Sequence, residues 1–340
     1  MLEKPAFDER LIHTCLRDNY DLPLSQLTFL PLGADPNTAV YRAVSGGAAY
    51  FVKLRSGNFD ESAVAVPRFL SDLGICEIIP PRRTAAGHLW AELEGYRLIL
   101  YPFVESRDAY QVEWTAALWR GFGAALRRIH DAALPPALAG LVRRETFAPR
   151  WRGRLAELLD LAAAAEFDDP AAAAMAALLN RRRREIQELI DHAGRLGEGL
   201  RSESGEFVLC HSDLHAGNLV LGADGRLFIV DWDQPILAPR ERDLMYPGGA
   251  QGFRGHAPAD EERLFYDGYG PVAVDWPAVA YYRCERVVED LAVFAEQLLL
   301  SEEGGEDRPQ AVRYARSNFE PGGPIERAYA ALAGEANHGE

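Results

Sequence analysis

Apolar residues recur along this chain with two different periods, and the change from one to the other marks out its parts. Leu11, Ile12, Cys15 and Leu16 make one stripe of a short helix over residues 7–17. From Leu27 the period shortens to two. Val40-Tyr41-Arg42-Ala43-Val44 and Tyr50-Phe51-Val52-Lys53-Leu54, joined by Ser45-Gly46-Gly47, predict a hairpin. Residues 60–73 return to helical spacing, with Asp60 as N-cap and Gly74 just past the end. Residues 89–93 and 96–100 predict two more strands, followed by Tyr101-Pro102-Phe103-Val104.

After residue 105 the chain becomes alanine-rich and helical. Residues 114–129, 154–163 and 169–196 repeat apolar side chains at helical spacing, the last opening on the N-cap and N1 pair Asp169-Pro170. A further helical block covers 276–300, with another near the C-terminus. The basic run Arg181 to Arg184 could be a phosphate or nucleic-acid patch, but its helical setting favours a solvated face. There is no internal repeat. The order predicts an α+β protein with a small antiparallel sheet and one prominent helix in residues 1–104, a hinge near 101–104, and a larger, mainly helical part in residues 105–340.

One polar cluster interrupts the helices. It reads His211-Ser212-Asp213-Leu214-His215-Ala216-Gly217-Asn218, then an apolar run, then Ile229-Val230-Asp231-Trp232-Asp233. Between the runs 219–221 and 227–230 lies Gly222-Ala223-Asp224-Gly225-Arg226, whose Asp-Gly step signals a tight turn. A hairpin sets the residue before its first strand beside the residue after its second, about 5 Å away. Here those residues are Asn218 and Asp231. An amide oxygen and a carboxylate are hard ligands of the kind magnesium takes, with phosphates and water completing its shell. Asp213 lies on the loop leading to the same end, and its spacing from His211 and Asn218 matches the H-x-D-x-x-x-x-N loop of protein kinases. The plainer alternative is a polar loop capping a hairpin with satisfied side chains.

With 340 residues the chain can form two lobes, and a formal charge of −15 argues against a nucleic-acid partner while favouring a cationic small molecule. The scattered cysteines Cys15, Cys76, Cys210 and Cys284 form no C-x-x-C pair and are read as reduced core or near-core thiols. No segment approaches a membrane span and the N-terminus lacks signal-peptide character, so a soluble cytoplasmic protein without a membrane partner is expected.

These motifs resemble those of the aminoglycoside phosphotransferase family of small-molecule kinases. The likeness continues in Leu32-Gly33-Ala34-Asp35, Tyr101-Pro102-Phe103, Ala238-Pro239-Arg240-Glu241-Arg242-Asp243-Leu244-Met245, Tyr266-Asp267-Gly268-Tyr269-Gly270 and the segment 281–290, which look like the spectinomycin phosphotransferase branch. The resemblance spans nearly the whole chain and implies a two-lobed, protein-kinase-like fold. It further implies ATP and Mg2+ as cofactors and a catalytic Asp213, with Asn218 and Asp231 on the metal. Lys53 would bind nucleotide phosphates and pair with Glu61, although a solvent-facing strand lysine is the plain reading of the same residue. The segment 98–104, with Leu100, Tyr101 and Phe103, would hold the adenine, and the loop at Asp35 would cover the phosphates, with a single glycine where protein kinases carry three.

His211, His215 and Asp243 would support the catalytic loop. Acceptor amines would meet some of Asp233, Asp267, Glu285, Glu289 and Asp290, though Arg286 and Asp290 at i, i+4 can simply pair with each other. The expected activity is ATP-dependent O-phosphorylation of a cationic aminocyclitol or aminoglycoside, with spectinomycin first. The alternatives are a kinase of the same fold for another aminoglycoside, an amino alcohol or a sugar, and a nucleotide-binding regulator without turnover.

Overall fold

The structure is a computed structural model that describes residues 4, 7–32, 37–202, 205–302, 305 and 308–333. Asp35 and its loop neighbours 33, 34 and 36 lie outside the described residues. The chain divides into two compact units, each assembled from three stretches.

The first unit comprises Met1–Val112, Asp131–Arg143 and Ala216–Pro235. Its five-stranded antiparallel sheet contains β1 (Gln26–Leu30), β2 (Thr38–Ser45), β3 (Ala48–Ser56), β4 (Ala91–Leu93) and β5 (Tyr96–Pro102) in the order β1-β2-β3-β5-β4. Strand alternation sorts the side chains. Val52, Leu54, Leu98 and Leu100 face a core shared with Ile12 and Leu16 of α1 (Glu9–Tyr20), while Lys53 and Arg55 occupy the other face. Helix α2 (Ser62–Asp72) has Glu61 rather than Asp60 at its N-cap, and Asp60, one residue earlier, accepts from the Ser62 backbone N–H at 2.9 Å. A second sheet orders β10-β9-β6, from β6 (Ser106–Asp108), β9 (Leu219–Gly222) and β10 (Leu227–Ile229). The anticipated hairpin is β9 and β10, and Gly225 takes the left-handed φ of +80° that its turn needs. A short helix, α4 (Pro136–Ala139), completes the first unit.

The second unit comprises Glu113–His130, Arg144–His215 and Ile236–Glu340. Its helices are α3 (Ala116–His130), α5 (Arg150–Ala164), α6 (Pro170–Ser202), α7 (Glu241–Leu244), α8 (Pro258–Tyr269), α9 (Trp276–Leu299), α10 (Arg308–Ser317) and α11 (Pro324–Ala333). The two-residue strand β7 (Arg143–Arg144) falls at the division, and β8 (Val208–Cys210) pairs antiparallel with β11 (Ile236–Ala238). Cys284, Val287, Val288, Leu291, Ala295 and Leu298 line one stripe of α9 at helical spacing and are buried against α5, α6, α10 and α11. Arg286, Glu289 and Asp290 fall on another stripe, where they are only partly buried.

Helices α3 and α8 cross at backbone contact. A Cβ on Gly123 would stand 2.1 Å from the carbonyl oxygen of Phe265, and one on Gly268 would stand 2.0 Å from that of Arg120, so neither position admits a side chain. The basic run Arg181 to Arg184 is a charged helix surface: Arg182 pairs with Glu185, Arg183 with Asp160 and Arg184 with Glu188. All four cysteines are free thiols. Cys76 is exposed, unlike the other three, because it sits on the connection after α2 rather than in the core. No described helix is long and apolar enough to cross a membrane.

Candidate active site

In the first unit, the face of the sheet away from its core carries a compact charge cluster. The Lys53 ammonium lies 3.0 Å from Oδ1 of Asp231 and 2.6 Å from Oδ1 of Asp233, while Arg55 Nη1 lies 2.9 Å from Oδ2 of Asp233. Burial works against the charged form of Lys53, but Asp231 and Asp233 outweigh it and hold the ammonium above the usual lysine range. Glu61, the partner expected from sequence, is exposed beside α2 and makes no ion pair with Lys53. The carboxylates that took its place come from about 180 residues away, beyond the reach of a local reading. Arg55 was open to such a reading, because residues 53 and 55 of one strand share a face.

The hairpin delivers those carboxylates. Val230 N–H donates to the Asn218 carbonyl at 2.9 Å, so Asn218 stands opposite Val230 and Asp231 follows one residue later. Asp231 adopts a φ of +63°, a left-handed conformation uncommon outside glycine. Its side chain is half exposed, whereas Asn218 is buried.

The adenine expectation for 98–104 is narrowed. The Leu100 side chain is wholly buried in the sheet core, and its carbonyl accepts from Arg82 N–H at 2.7 Å. Tyr101 points to the Lys53 face, where burial raises its hydroxyl pKa. The Phe103 ring lies under the Arg42 guanidinium, 5.2 Å from the ring centre.

In the second unit, the loop after β8 hangs on a fully buried carboxylate. Asp243 accepts from the His211 N–H at 2.8 Å through Oδ2 and from the Ser212 N–H at 2.7 Å through Oδ1. Its Oδ2 also faces His130 Nε2 at 3.2 Å, and His130 Nδ1 lies 2.7 Å from the Tyr269 hydroxyl. A carboxylate only accepts, so the Nε2 contact places a ring proton toward Asp243. Tyr246 donates its hydroxyl proton to the Ser212 carbonyl at 2.6 Å. Ser212 has a φ of +73°, so these bonds hold a strained residue immediately before Asp213. His130, Cys210 and Asp243 also lie close enough to invite a metal, but Asp243 and His130 are already committed to these bonds.

Asp213 is fixed from two sides. Its backbone N–H donates to His211 Nδ1 at 3.2 Å, and Arg286 Nη1 donates to its Oδ1 at 2.6 Å. His215 Nε2 stands 3.7 Å from Oδ2. Burial would raise the Asp213 carboxyl pKa, yet Arg286, His215 and His211 outweigh it and leave the group below the ordinary carboxylate range. The sequence offered no sign of the Arg286 contact, nor of the parts played by His130, Tyr246 and Tyr269.

The family model described as the phosphotransferase enzyme family (APH) matches residues 27–282. The chain belongs to that family. This phosphotransferase is similar to spectinomycin phosphotransferase APH(9)-Ia, whose crystal structure in complex with ADP and spectinomycin shares 33% identity over 96% of this chain and 99% of that one, with a TM-score of 0.89. Amicoumacin kinase hAmiN, solved with AMP-PNP, Ca2+ and Ami, is 16% identical with a TM-score of 0.64 and covers 94% of this chain and 95% of its own. Choline kinase LicA from Streptococcus pneumoniae is 15% identical, with a TM-score of 0.56, 97% of this chain covered and 99% of that chain. The latter two show the kinase-like fold, an antiparallel sheet followed by a mainly helical part. A search of the curated proteins found no match.

The expected acceptor carboxylates of the phosphotransferase are mostly taken. Asp233 is held by Lys53 and Arg55, Asp267 lies 3.3 Å from Arg120, Glu285 lies 2.7 Å from Arg152, and Asp290 lies 3.0 Å from Arg286. Glu289 is the one of the five with no ion pair among the described residues.

Proposed function

We propose that this phosphotransferase moves the γ-phosphoryl group of ATP to a hydroxyl of a small cationic aminocyclitol, with spectinomycin as the acceptor. The observation that carries the reading is 33% identity, over nearly the full length of both chains, to a protein crystallised with ADP and spectinomycin. Asp213 is the group that orients the acceptor hydroxyl. As the hydroxyl oxygen bonds to phosphorus and the bond to the ADP oxygen breaks, the hydroxyl proton passes to its carboxylate. The Arg286 contact and the anchored loop support that role.

Lys53 is the residue for the nucleotide phosphates, and its fixed ammonium on the sheet face opposite the core suits that work. Tyr101 and Phe103, rather than the Leu100 side chain, are the residues for adenine. His211, His215 and Asp243 are read as supports of the Asp213 loop.

Asn218 and Asp231 fit a magnesium ion: both offer hard oxygen, and two protein ligands suit an ion that keeps phosphates and water in its shell. When bound, that ion neutralises charge on the phosphate oxygens. Glu289 is assigned to an acceptor amine because, of the five candidate carboxylates, it alone makes no ion pair among the described residues, although Arg242 and Arg286 both feel its charge. A cytoplasmic site of action follows from ATP as donor, and an antibiotic-inactivating role follows from spectinomycin as acceptor.

The test is a reaction containing magnesium, ATP and spectinomycin, with kanamycin and streptomycin as competing acceptors, read by mass spectrometry. Singly phosphorylated spectinomycin is the expected product. Phosphorylation of another acceptor with none of spectinomycin refutes the substrate and leaves the phosphotransferase chemistry standing. Asp213→Ala should lose at least about a hundredfold in kcat, and turnover within about threefold of wild type would remove it from the mechanism.

A further inference from the structure

The Asp213 carboxylate has a partner that the catalytic-loop motif does not contain. Arg286 comes from α9, 73 residues downstream, and makes the 2.6 Å bond to Oδ1. Its own Nε lies 3.0 Å from Oδ1 of Asp290, one helical turn further along α9, a close ion pair though not an aligned hydrogen bond. Asp213, Arg286 and Asp290 therefore form a chain of alternating charge, with side chains 38%, 21% and 29% exposed. Helix α9 is anchored through its apolar stripe in the largest core cluster described in the second unit, so the guanidinium is presented from a rigid support.

An arginine so placed has a mechanical consequence. A planar guanidinium bonded to one carboxylate oxygen restricts rotation about the Asp213 Cβ–Cγ bond, and the Asp290 pair restricts the guanidinium in turn. We propose that Arg286 is a positioning residue for phosphoryl transfer, fixing the plane in which Asp213 meets the acceptor hydroxyl, with Asp290 fixing Arg286. This rests on the assignment of Asp213 as the group that receives the hydroxyl proton. It also gives Asp290 a duty other than contact with an acceptor amine.

The charges around Asp213 make the inference separable from a merely structural role. Its own loop contributes His211 and His215, α7 and the turn after it contribute Asp243 and Tyr246, and α9 contributes Arg286, Glu289 and Asp290. Arg286 is the strongest of the influences favouring the ionised form, set against burial that disfavours it. Without it, the acid limb of the rate profile should move upward.

The experiment uses the full-length enzyme with ATP, magnesium and whichever member of an aminocyclitol and aminoglycoside panel the wild type phosphorylates. Arg286→Met should lower kcat about ten- to a hundredfold, the scale of a misplaced reacting group, with nucleotide affinity within about twofold of wild type. The acid limb of kcat/KM should move to higher pH, as expected when an opposite charge beside the carboxylate is removed. Arg286→Lys keeps the charge and loses the planar fork, so it should restore the acid limb while recovering only part of kcat. Asp290→Asn should lower kcat in the same direction by less.

If Arg286→Met keeps kcat within threefold and leaves the acid limb in place while Asp213→Ala is inactive, the inference is overturned and the role of Asp213 stands. An active Asp213→Ala overturns both. Should Arg286→Met fail to fold, judged by nucleotide binding, Arg286→Lys and Asp290→Asn decide: both indistinguishable from wild type is the refuting outcome.

Discussion

Replacing Asp243 should cost stability and catalysis together, because one buried carboxylate holds the whole loop that precedes Asp213. It accepts two backbone N–H groups at 2.8 and 2.7 Å and faces His130 Nε2 at 3.2 Å, in a fully buried position. Asp243→Ala strands all three polar groups. At about 1–3 kcal/mol for each unsatisfied buried group, the loss is about 3–9 kcal/mol, comparable with the whole stability of an ordinary domain. Asp243→Asn is the informative variant. It keeps the shape and one acceptor oxygen but turns an amide N–H₂ toward a donor, for a loss of about 2–3 kcal/mol.

The two backbone N–H bonds to Asp243, one of which Asp243→Asn removes, also hold Ser212 at a φ of +73°. That strain is about 1–3 kcal/mol, so the loop should relax and carry Asp213 out of line, lowering kcat by about a hundredfold with a much smaller change in nucleotide affinity. Adding Ser212→Gly, which adopts the same φ without a Cβ clash, should return part of the stability lost by Asp243→Asn. Urea unfolding and steady-state kinetics on the three variants supply the measurements. A loss below about 0.5 kcal/mol, the level of an ordinary surface substitution, with kcat within twofold, would show that the loop does not depend on this anchor.

Gly268→Ala forces a Cβ to within 2.0 Å of the Arg120 carbonyl oxygen and should destabilise the protein by at least about 3 kcal/mol, whereas Gly121→Ala on α3, with nothing within 4 Å of the added carbon, should be neutral or stabilising by up to about 1 kcal/mol in the same thermal melts. Asp231→Asn keeps a residue that tolerates the left-handed φ, so it should fold normally yet need more magnesium for half-maximal rate; an unchanged magnesium titration would end the ligand assignment. Glu289→Gln should raise the acceptor KM about ten- to a hundredfold, the worth of one charge-assisted bond, without moving nucleotide affinity, and an unchanged KM would dismiss it as the amine site. Burial lifts the Glu261 carboxyl to about 7, and a folded-state pKa above the unfolded one gives stability that is full at low pH and lost as pH rises. Thermal melts across pH 5 to 8 should therefore show a decline that Glu261→Gln, still able to accept from Gly248 N–H, makes shallower by no more than about 3 kcal/mol.

The parts that sequence exposes are those governed by neighbours along the chain. The β9–β10 hairpin follows from an Asp-Gly step between two apolar runs, and its one-residue offset, Asn218 opposite Val230, does not change which end Asp231 occupies. Asp60, just before the N-cap of α2, and Asp169, before α6, bond to backbone N–H groups two and three residues on, the range within which a side chain can reach its own helix. Helix α9 announces itself through apolar residues three and four apart, and the same spacing says which stripe is left for charge. The crossing of α3 and α8 is half legible: glycines at 123 and 268 mark places where something comes close, but not that each meets the other helix's carbonyl oxygens.

Charge pairs behave differently, because any acidic residue suits any basic one and sequence supplies no rule for choosing. Glu61, eight residues from Lys53 and at the start of the next helix, was a reasonable partner, yet strand alternation puts Lys53 on the face where Asp231 and Asp233 arrive from the distant hairpin. Arg286 and Asp290 satisfy the i, i+4 rule, and they do pair. That local success hid the second contact, since a guanidinium with five donors can serve two carboxylates at once and only the fold brings Asp213 to the other side of it. The same arithmetic bears on acceptor recognition. A carboxylate in contact with an arginine attracts an incoming amine far less than one outside any ion pair, so the count of acidic residues overstates what the site has to offer, and Glu289, which acts on Arg242 and Arg286 without pairing with either, carries more weight than its position in the sequence suggests.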